Sequence, residues 1–167
     1  MNRRQAILNA CLLGGLGSLA GCAAPVRQRT DTVVWHGRLA LRVQADASAA
    51  APPGASFSAA FDLSGDAARG ELNFYSPLGS TLAAIRWEPG AASVRSRGET
   101  RPYDSLDQLI VDTLGADVPV AALFEWLAGQ AQPVPGWQVD LSARAQGKIT
   151  AQRLTTPRAE LRVILDN

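Results

Sequence analysis

From residue 33 onward the chain alternates. Trp35, Gly37, Leu39, Leu41 and Val43 fall on one face of an extended segment, and His36, Arg38 and Arg42 fall on the other. Residues two apart on a strand share a face, so this period commits the segment to a strand with one apolar side to bury. The pattern then returns in short pieces. Phe57, Ala59, Phe61 and Leu63 alternate with Ser58, Ala60, Asp62 and Ser64, and Leu72 and Phe74 share one side of residues 71–76. Residues 81–87, 92–97 and 100–103 are again strand-like. Gly65-Asp66, Pro77-Leu78-Gly79, Pro89-Gly90 and Gly98 supply the breaks between them. Short strands joined by turns at this spacing argue for an antiparallel meander.

The middle of the chain changes period. Asp104 or Ser105 caps a predicted helix with apolar residues Leu106, Leu109, Ile110 and Leu114, closed by Gly115. Pro119 opens a second, with Val120, Leu123, Phe124 and Leu127 at i, i+3, i+4 and i+7, closed by Gly129. Residues 131–136 form a proline-bearing link. Residues 137–144, 149–154 and 160–165 return to strand spacing, and Leu161, Val163 and Leu165 alternate with Glu160 and Arg162. Each helix carries one apolar stripe that must be covered. A curved antiparallel sheet with those helices over its concave face or mouth satisfies both patterns. Its interior is either filled or encloses an apolar cavity.

The N-terminal segment obeys different rules. Asn2-Arg3-Arg4 is a basic start, residues 6–19 are apolar, and Leu19-Ala20-Gly21-Cys22 ends the run in small residues before a cysteine. These are the parts of a secretory signal. A cysteine directly after the small residues is what lipid attachment needs, because its thiol can carry a diacylglycerol and cleavage frees its amine for a third acyl chain. The pattern resembles the bacterial lipobox. The expected division is therefore a lipoprotein signal peptide at 1–21, a lipidated tether at 22–32 and one domain at 33–167. The apolar run falls short of the ~20 residues a spanning helix needs, and glycines interrupt it. Residues 45–54 read as a slack hairpin loop.

Composition removes several function classes. The chain has 16 Lys+Arg against 15 Asp+Glu; without Arg3 and Arg4 the balance is 14 to 15, a net charge near −1. That leaves no electrostatic footprint for nucleic acid. Cys11 departs with the signal and Cys22 becomes the lipid carrier, so no thiol nucleophile, disulfide or cysteine metal site is expected. His36 is the one histidine, so no His-based metal cluster and no cofactor are expected beyond the covalent lipid on Cys22. His36 reads as a solvated strand residue. Asp104, Asp107, Asp112 and Asp117 lie near helix ends, where they serve as caps and solvated charges, with no nucleophile and base to pair with. The chain is not expected to be an enzyme.

The order of motifs is recognisable. Trp35-His36-Gly37-Arg38-Leu39-Ala40, Ser76-Pro77-Leu78-Gly79-Ser80-Thr81-Leu82, Trp87-Glu88-Pro89-Gly90, Arg101-Pro102-Tyr103-Asp104, Phe124-Glu125-Trp126-Leu127-Ala128-Gly129 and Gly136-Trp137 follow one another. This order resembles the LolB family of outer-membrane lipoprotein receptors. The resemblance implies a mainly β fold, an incomplete antiparallel β-barrel with an apolar cavity covered by short helices. It implies a monomeric, lipid-anchored protein on the periplasmic face of the outer membrane. Its partners would be the periplasmic carrier LolA, triacylated lipoprotein cargo and outer-membrane lipid. The family's protruding loop leucine maps onto Leu78, with Pro77 and Gly79 beside it. The segment after Trp137 is compact relative to the family.

Two kinds of site residue follow. Leu39, Leu41, Phe61, Leu72, Phe74, Leu82 and Val163 on strands, with Leu123, Phe124 and Leu127 on the second helix, are the candidates to meet acyl chains. Leu78 has two readings: a turn leucine usually folds back on the core, whereas the resemblance implies one that points outward as a membrane probe. Trp87, Trp126 and Trp137 read as core or cavity wall. Arg42, Arg86, Arg95 and Arg97 read as solvated outer-face residues, with one or two at the cavity mouth facing the carrier. No nucleotide-binding loop is present, so transfer is expected to run downhill in affinity, without ATP. The competing reading is a non-catalytic docking lipoprotein of an envelope assembly machine.

Overall fold

The computed structural model describes residues 33–44 and 56–166. The expected signal peptide, Cys22, the tether and the loop at 45–54 lie outside the described residues.

Among the described residues nine strands form one sheet: β1 (Val34–Val43), β2 (Ser56–Gly65), β3 (Gly70–Tyr75), β4 (Thr81–Glu88), β5 (Ala91–Ser96), β6 (Glu99–Tyr103), β7 (Trp137–Asp140), β8 (Lys148–Arg153) and β9 (Ala159–Leu165). Their spatial order is β6-β5-β4-β3-β2-β1-β9-β8-β7, and every pair is antiparallel. The first six strands are the predicted meander. The last three come back and β9 pairs with β1, Leu39 opposite Val163 and Leu41 opposite Leu161. Gly37 makes that close approach possible: a Cβ there would stand 2.2 Å from the carbonyl oxygen of Ile164. The edges β6 and β7 are left apart, so the sheet is open.

Between β6 and β7 the chain forms α1 (Leu106–Leu114) and α2 (Val120–Leu127). Ser105 caps α1, its Oγ accepting from the Gln108 amide at 3.2 Å. Gly115 ends it in the left-handed region at φ 73°. The α2 helix begins after Pro119, and Gly129 follows its end at φ 89°.

Aromatic contacts fix the curvature. Phe124 of α2 packs on Trp87 of β4, and Trp126 of α2 packs on Trp137 of β7, each pair with ring centroids 6.3 Å apart. In sheet order β4 and β7 are six strands apart, which in a flat sheet is about 29 Å at ~4.8 Å per strand. One helix, about 10 Å across, touches both. The sheet therefore curls around α2, the arrangement of an incomplete barrel. The core is continuous and apolar, and among the described residues no polar or charged side chain is fully buried.

One expected strand is shortened. The segment predicted as 137–144 pairs only to Asp140. There the Asp140 carboxylate accepts from the Ser142 amide at 2.9 Å and turns the chain. A short 3₁₀ turn, Arg144–Gln146, follows.

Candidate functional site

Two places bear on function. The first is the β3–β4 hairpin. Gly79 donates its amide to the Ser76 carbonyl at 2.9 Å, and the Ser76 amide donates to the Ser80 carbonyl at 2.9 Å. Gly79 takes φ 79°, in open space. This is a β-turn closed by a left-handed glycine, a common three-residue hairpin loop. Its tip is Leu78, 94% exposed. The leucine points outward and does not fold back.

The second is the concave face. Leu39, Leu41, Phe61, Leu72, Phe74, Leu123, Leu127 and Val163 come together there, none more than 4% exposed. Phe124 packs against this cluster and is partly buried. These side chains form a packed core beneath the helices. Leu82 does not join them. It is 40% exposed, the extra residue where Phe74 pairs with Ala83 but Tyr75 pairs with Thr81. The inward positions of that strand are Ala83, Ile85 and Trp87, so Leu82 has the outward phase.

The two helices are held unequally. The α2 helix buries five residues and α1 only Leu109 and Ile110. The C-terminus of α2 is also clamped. Arg144 donates to the Leu127 carbonyl through Nε at 2.7 Å and through Nη2, and its guanidinium lies 5.6 Å from the Trp35 ring centroid. Sequence reading missed this clamp, because Arg144 is local neither to α2 nor to Trp35. The α1 helix rests on the edge strand β6 and its neighbour β5. Between it and β4–β6 lies a pocket of about 400 Å³ with a charged rim.

On the convex face the Asp62 carboxylate accepts from His36 Nδ1 at 2.6 Å and from the Tyr75 hydroxyl at 3.0 Å. His36 is thus a surface stitch across β1–β3. Burial, with the Asp62 hydrogen bond behind it, raises the Tyr75 pKa above its ordinary 10.0. Beside it the Glu71 carboxylate accepts from Asn73 at 2.8 Å and Arg86 at 2.9 Å. The Asn73 hydrogen bond is the main cause that lowers its pKa below 4.5, with Arg86 adding to it.

The profile of the family described as "Outer membrane lipoprotein LolB" matches residues 34–161. Among individual relatives, the outer-membrane lipoprotein LolB of Bordetella petrii is 36% identical over 50% of this chain and 42% of its own length. That of Bordetella parapertussis is 34% identical over 72% of this chain and 60% of its own. That of Chromobacterium violaceum is 29% identical over 91% and 79%. The chain thus spans about half the length of the two Bordetella relatives. An open, helix-covered antiparallel sheet with an outward leucine at its β3–β4 turn goes with a profile match across nearly all the described residues, and the chain belongs to the family of the outer-membrane lipoprotein LolB.

Proposed function

We propose that this protein is a receptor that accepts triacylated lipoproteins from a LolA-type periplasmic carrier and inserts them into the outer membrane without ATP. It works as a monomer on the periplasmic face, anchored by lipid on Cys22. The observation that carries this reading is Leu78: a large apolar side chain held 94% exposed by a closed turn. Singly exposed leucines are common on loops. One at the apex of a rigid hairpin, in this family, has a use as a probe that enters a bilayer.

The apolar interior supplies the other half. Each acyl methylene is worth ~0.8 kcal/mol on leaving water. An interior in which no polar side chain among the described residues is fully buried offers acyl chains a host at little desolvation cost to the protein. Because the concave face is packed, cargo enters by exchange. A helix lifts, and acyl chains take over the apolar surface that its buried residues covered. The cover that lifts is α1, which buries the fewer residues and rests on the β5–β6 end of the sheet. Cargo shifts the balance by binding only the opened form.

The anchor and the probe are compatible. The strand registers put Val34 at the end of the sheet opposite the Leu78 turn, since Val34 pairs with Ser64 and Tyr75 with Ala60. Four residues of strand plus the turn separate those levels, about 25 Å at ~3.4 Å per residue. Twelve residues run from Cys22 to Val34. Such a segment spans up to about 40 Å when extended, enough for anchor and hairpin to meet one bilayer.

The test is reconstitution. Liposomes bearing the full lipidated chain receive a fluorescent triacylated lipoprotein held by its carrier, with no nucleotide present. Transfer into the bilayer is the expected result. Capture without insertion would favour a docking lipoprotein, and no capture at any cargo concentration would sink the receptor reading.

A further inference from the structure

Next to the Leu78 hairpin a second turn breaks a local rule. Strands β5 and β6 are joined by Arg97-Gly98, with φ of 52° and 83°. A two-residue hairpin turn with both central residues left-handed matches the strand twist, and Asn-Gly or Gly-Gly suits it. Arginine does not, because its Cβ is crowded there. A residue kept in that conformation points to a use for its side chain. The two hairpins stand on one rim of the sheet: Ser96 Oγ donates to the Leu82 carbonyl at 3.0 Å, and Arg95 is in register with Ala84.

Between this turn and α1 lies the pocket of about 400 Å³. Ala83 and Val94 line it, and Arg97, Arg101, Glu99 and Asp112 supply its charges. Two guanidinium groups and two carboxylates sum to zero. Arg101 and Glu99 approach only to 3.9 Å and are 73% and 77% exposed, a weak pair whose members stay available to a ligand. Among the described residues neither Arg97 nor Asp112 has an ion-pair partner.

We propose that this pocket binds the head group of a zwitterionic phospholipid of the bilayer, its phosphate on Arg97 and Arg101 and its ammonium on Glu99 and Asp112. The planar guanidinium fork suits a phosphate. A purely anionic head group would also face two carboxylates, and a simple cation two arginines; a phosphoethanolamine matches both signs and falls in the size range of small-molecule pockets. The bilayer supplies it, not the cargo, because the diacylglycerol of a lipoprotein is joined to cysteine sulfur and carries no phosphate. Leu78 and this pocket then act together, one entering the acyl layer as the other holds a head group beside it. The proposal rests on reading the Leu78 rim as the bilayer-facing one, but its deciding measurement, the lipid titration, uses no cargo.

The full chain, purified in a non-ionic detergent, is titrated with dihexanoylphosphatidylethanolamine, dihexanoylphosphatidylglycerol and inorganic phosphate, and binding is followed by calorimetry. Saturable binding of the ethanolamine lipid is expected, with the other two probes weaker by about tenfold or more. Arg97→Gly, Arg101→Gln and Asp112→Asn should each weaken it by about fivefold or more. Arg97→Gly is the clean variant: glycine accepts this φ, so its Tm should hold or rise as binding falls. Equal binding of all three probes, binding of inorganic phosphate alone, or full binding by Arg97→Gly overturns the proposal. So does an Arg97→Gly protein that binds lipid normally but no longer receives cargo from its carrier, because the rim would then be a protein dock. Failed cargo transfer with intact head-group binding would overturn the receptor function and leave this inference standing.

Discussion

Replacing Leu78 with glutamate separates a membrane role from a folding role. The side chain is 94% exposed, so folding removes only the remaining 6% from water. Full burial of a leucine is worth ~1.5–3 kcal/mol, so this contact contributes about 0.1–0.2 kcal/mol to stability. In a domain of this size that moves Tm by less than about 1 °C. Entry into a bilayer buries nearly the whole side chain and recovers the full ~1.5–3 kcal/mol, about 10- to 150-fold in the population of the membrane-engaged state. A glutamate forfeits that gain and adds the cost of dehydrating a charge. Leu78→Glu should therefore keep its Tm and its capture of carrier-bound lipoprotein. The rate of cargo insertion into liposomes should fall by at least about tenfold. A Tm loss of several degrees would mean that Leu78 is structural after all. An unchanged insertion rate with unchanged Tm would refute the membrane-probe argument.

Cys22→Ala should block lipidation and normal cleavage, so that intact precursor accumulates on immunoblots; a mutant still cleaved beside residue 22 and salt-resistant on membranes would refute the lipobox reading. Arg144→Ala leaves the Leu127 carbonyl without its charged donor and removes the contact with Trp35; a loss of about 2–3 kcal/mol is expected in urea unfolding followed by tryptophan fluorescence, and a loss under about 0.5 kcal/mol would mean that the clamp is ornamental. The lowered pKa of Glu71 makes a stability contribution that is present above the ordinary value of 4.5 and is lost as pH falls through the lower folded value. Glu71→Gln should therefore melt below the parent at neutral pH, and the gap should close on acidification below 4.5; a gap that stays constant with pH would remove the ionised carboxylate from the explanation.

The meander was legible because each strand announces itself locally. Alternation picks out Leu39 and Leu41, Phe61 and Leu63, Leu72 and Phe74, and a glycine or proline turn follows nearly every run. The helix ends were legible for the same reason: Ser105 and Gly115 act within one turn of themselves. What stayed hidden is non-local. The alternation of Leu161, Val163 and Leu165 says that β9 has two faces, but not that its neighbour is β1. Nor does any period show that α2 touches β4 and β7 at once, the contact that turns a sheet into a partial barrel. Leu82 was misassigned because period two gives a pattern without its phase. The phase of β4 is set by Ile85 and Trp87 and by the extra residue against β3. The end of β7 had a local signal that alternation overrode, an aspartate two residues before a serine, where a side-chain cap competes with the ladder.

The site divides in the same way. Pro77-Leu78-Gly79 fixed a turn, and loop length decides the rest. With Ser76 and Ser80 already bonded to each other, only three residues lie beyond the ladder, too few to carry the tip leucine back to the sheet. Its exposure follows from closure of the turn, not from any property of leucine. Arg97 is the converse case. Alternation ran the strand through Arg97 and set it on the outer face, with Gly98 alone as the break. In the structure Arg97 and Gly98 are together the central residues of a two-residue hairpin turn, where glycine fits the second position and arginine conflicts with the first. A purely structural role is served better by asparagine or glycine there. Local rules and global fold agree almost everywhere else along this sheet, so the residue that breaks the agreement is where a requirement other than folding acts. That it stands on the same rim as an outward leucine, over a pocket with both signs of charge, gives that requirement a chemistry: two adjacent hairpins, one shaped for the apolar layer of a membrane and the other for its polar surface.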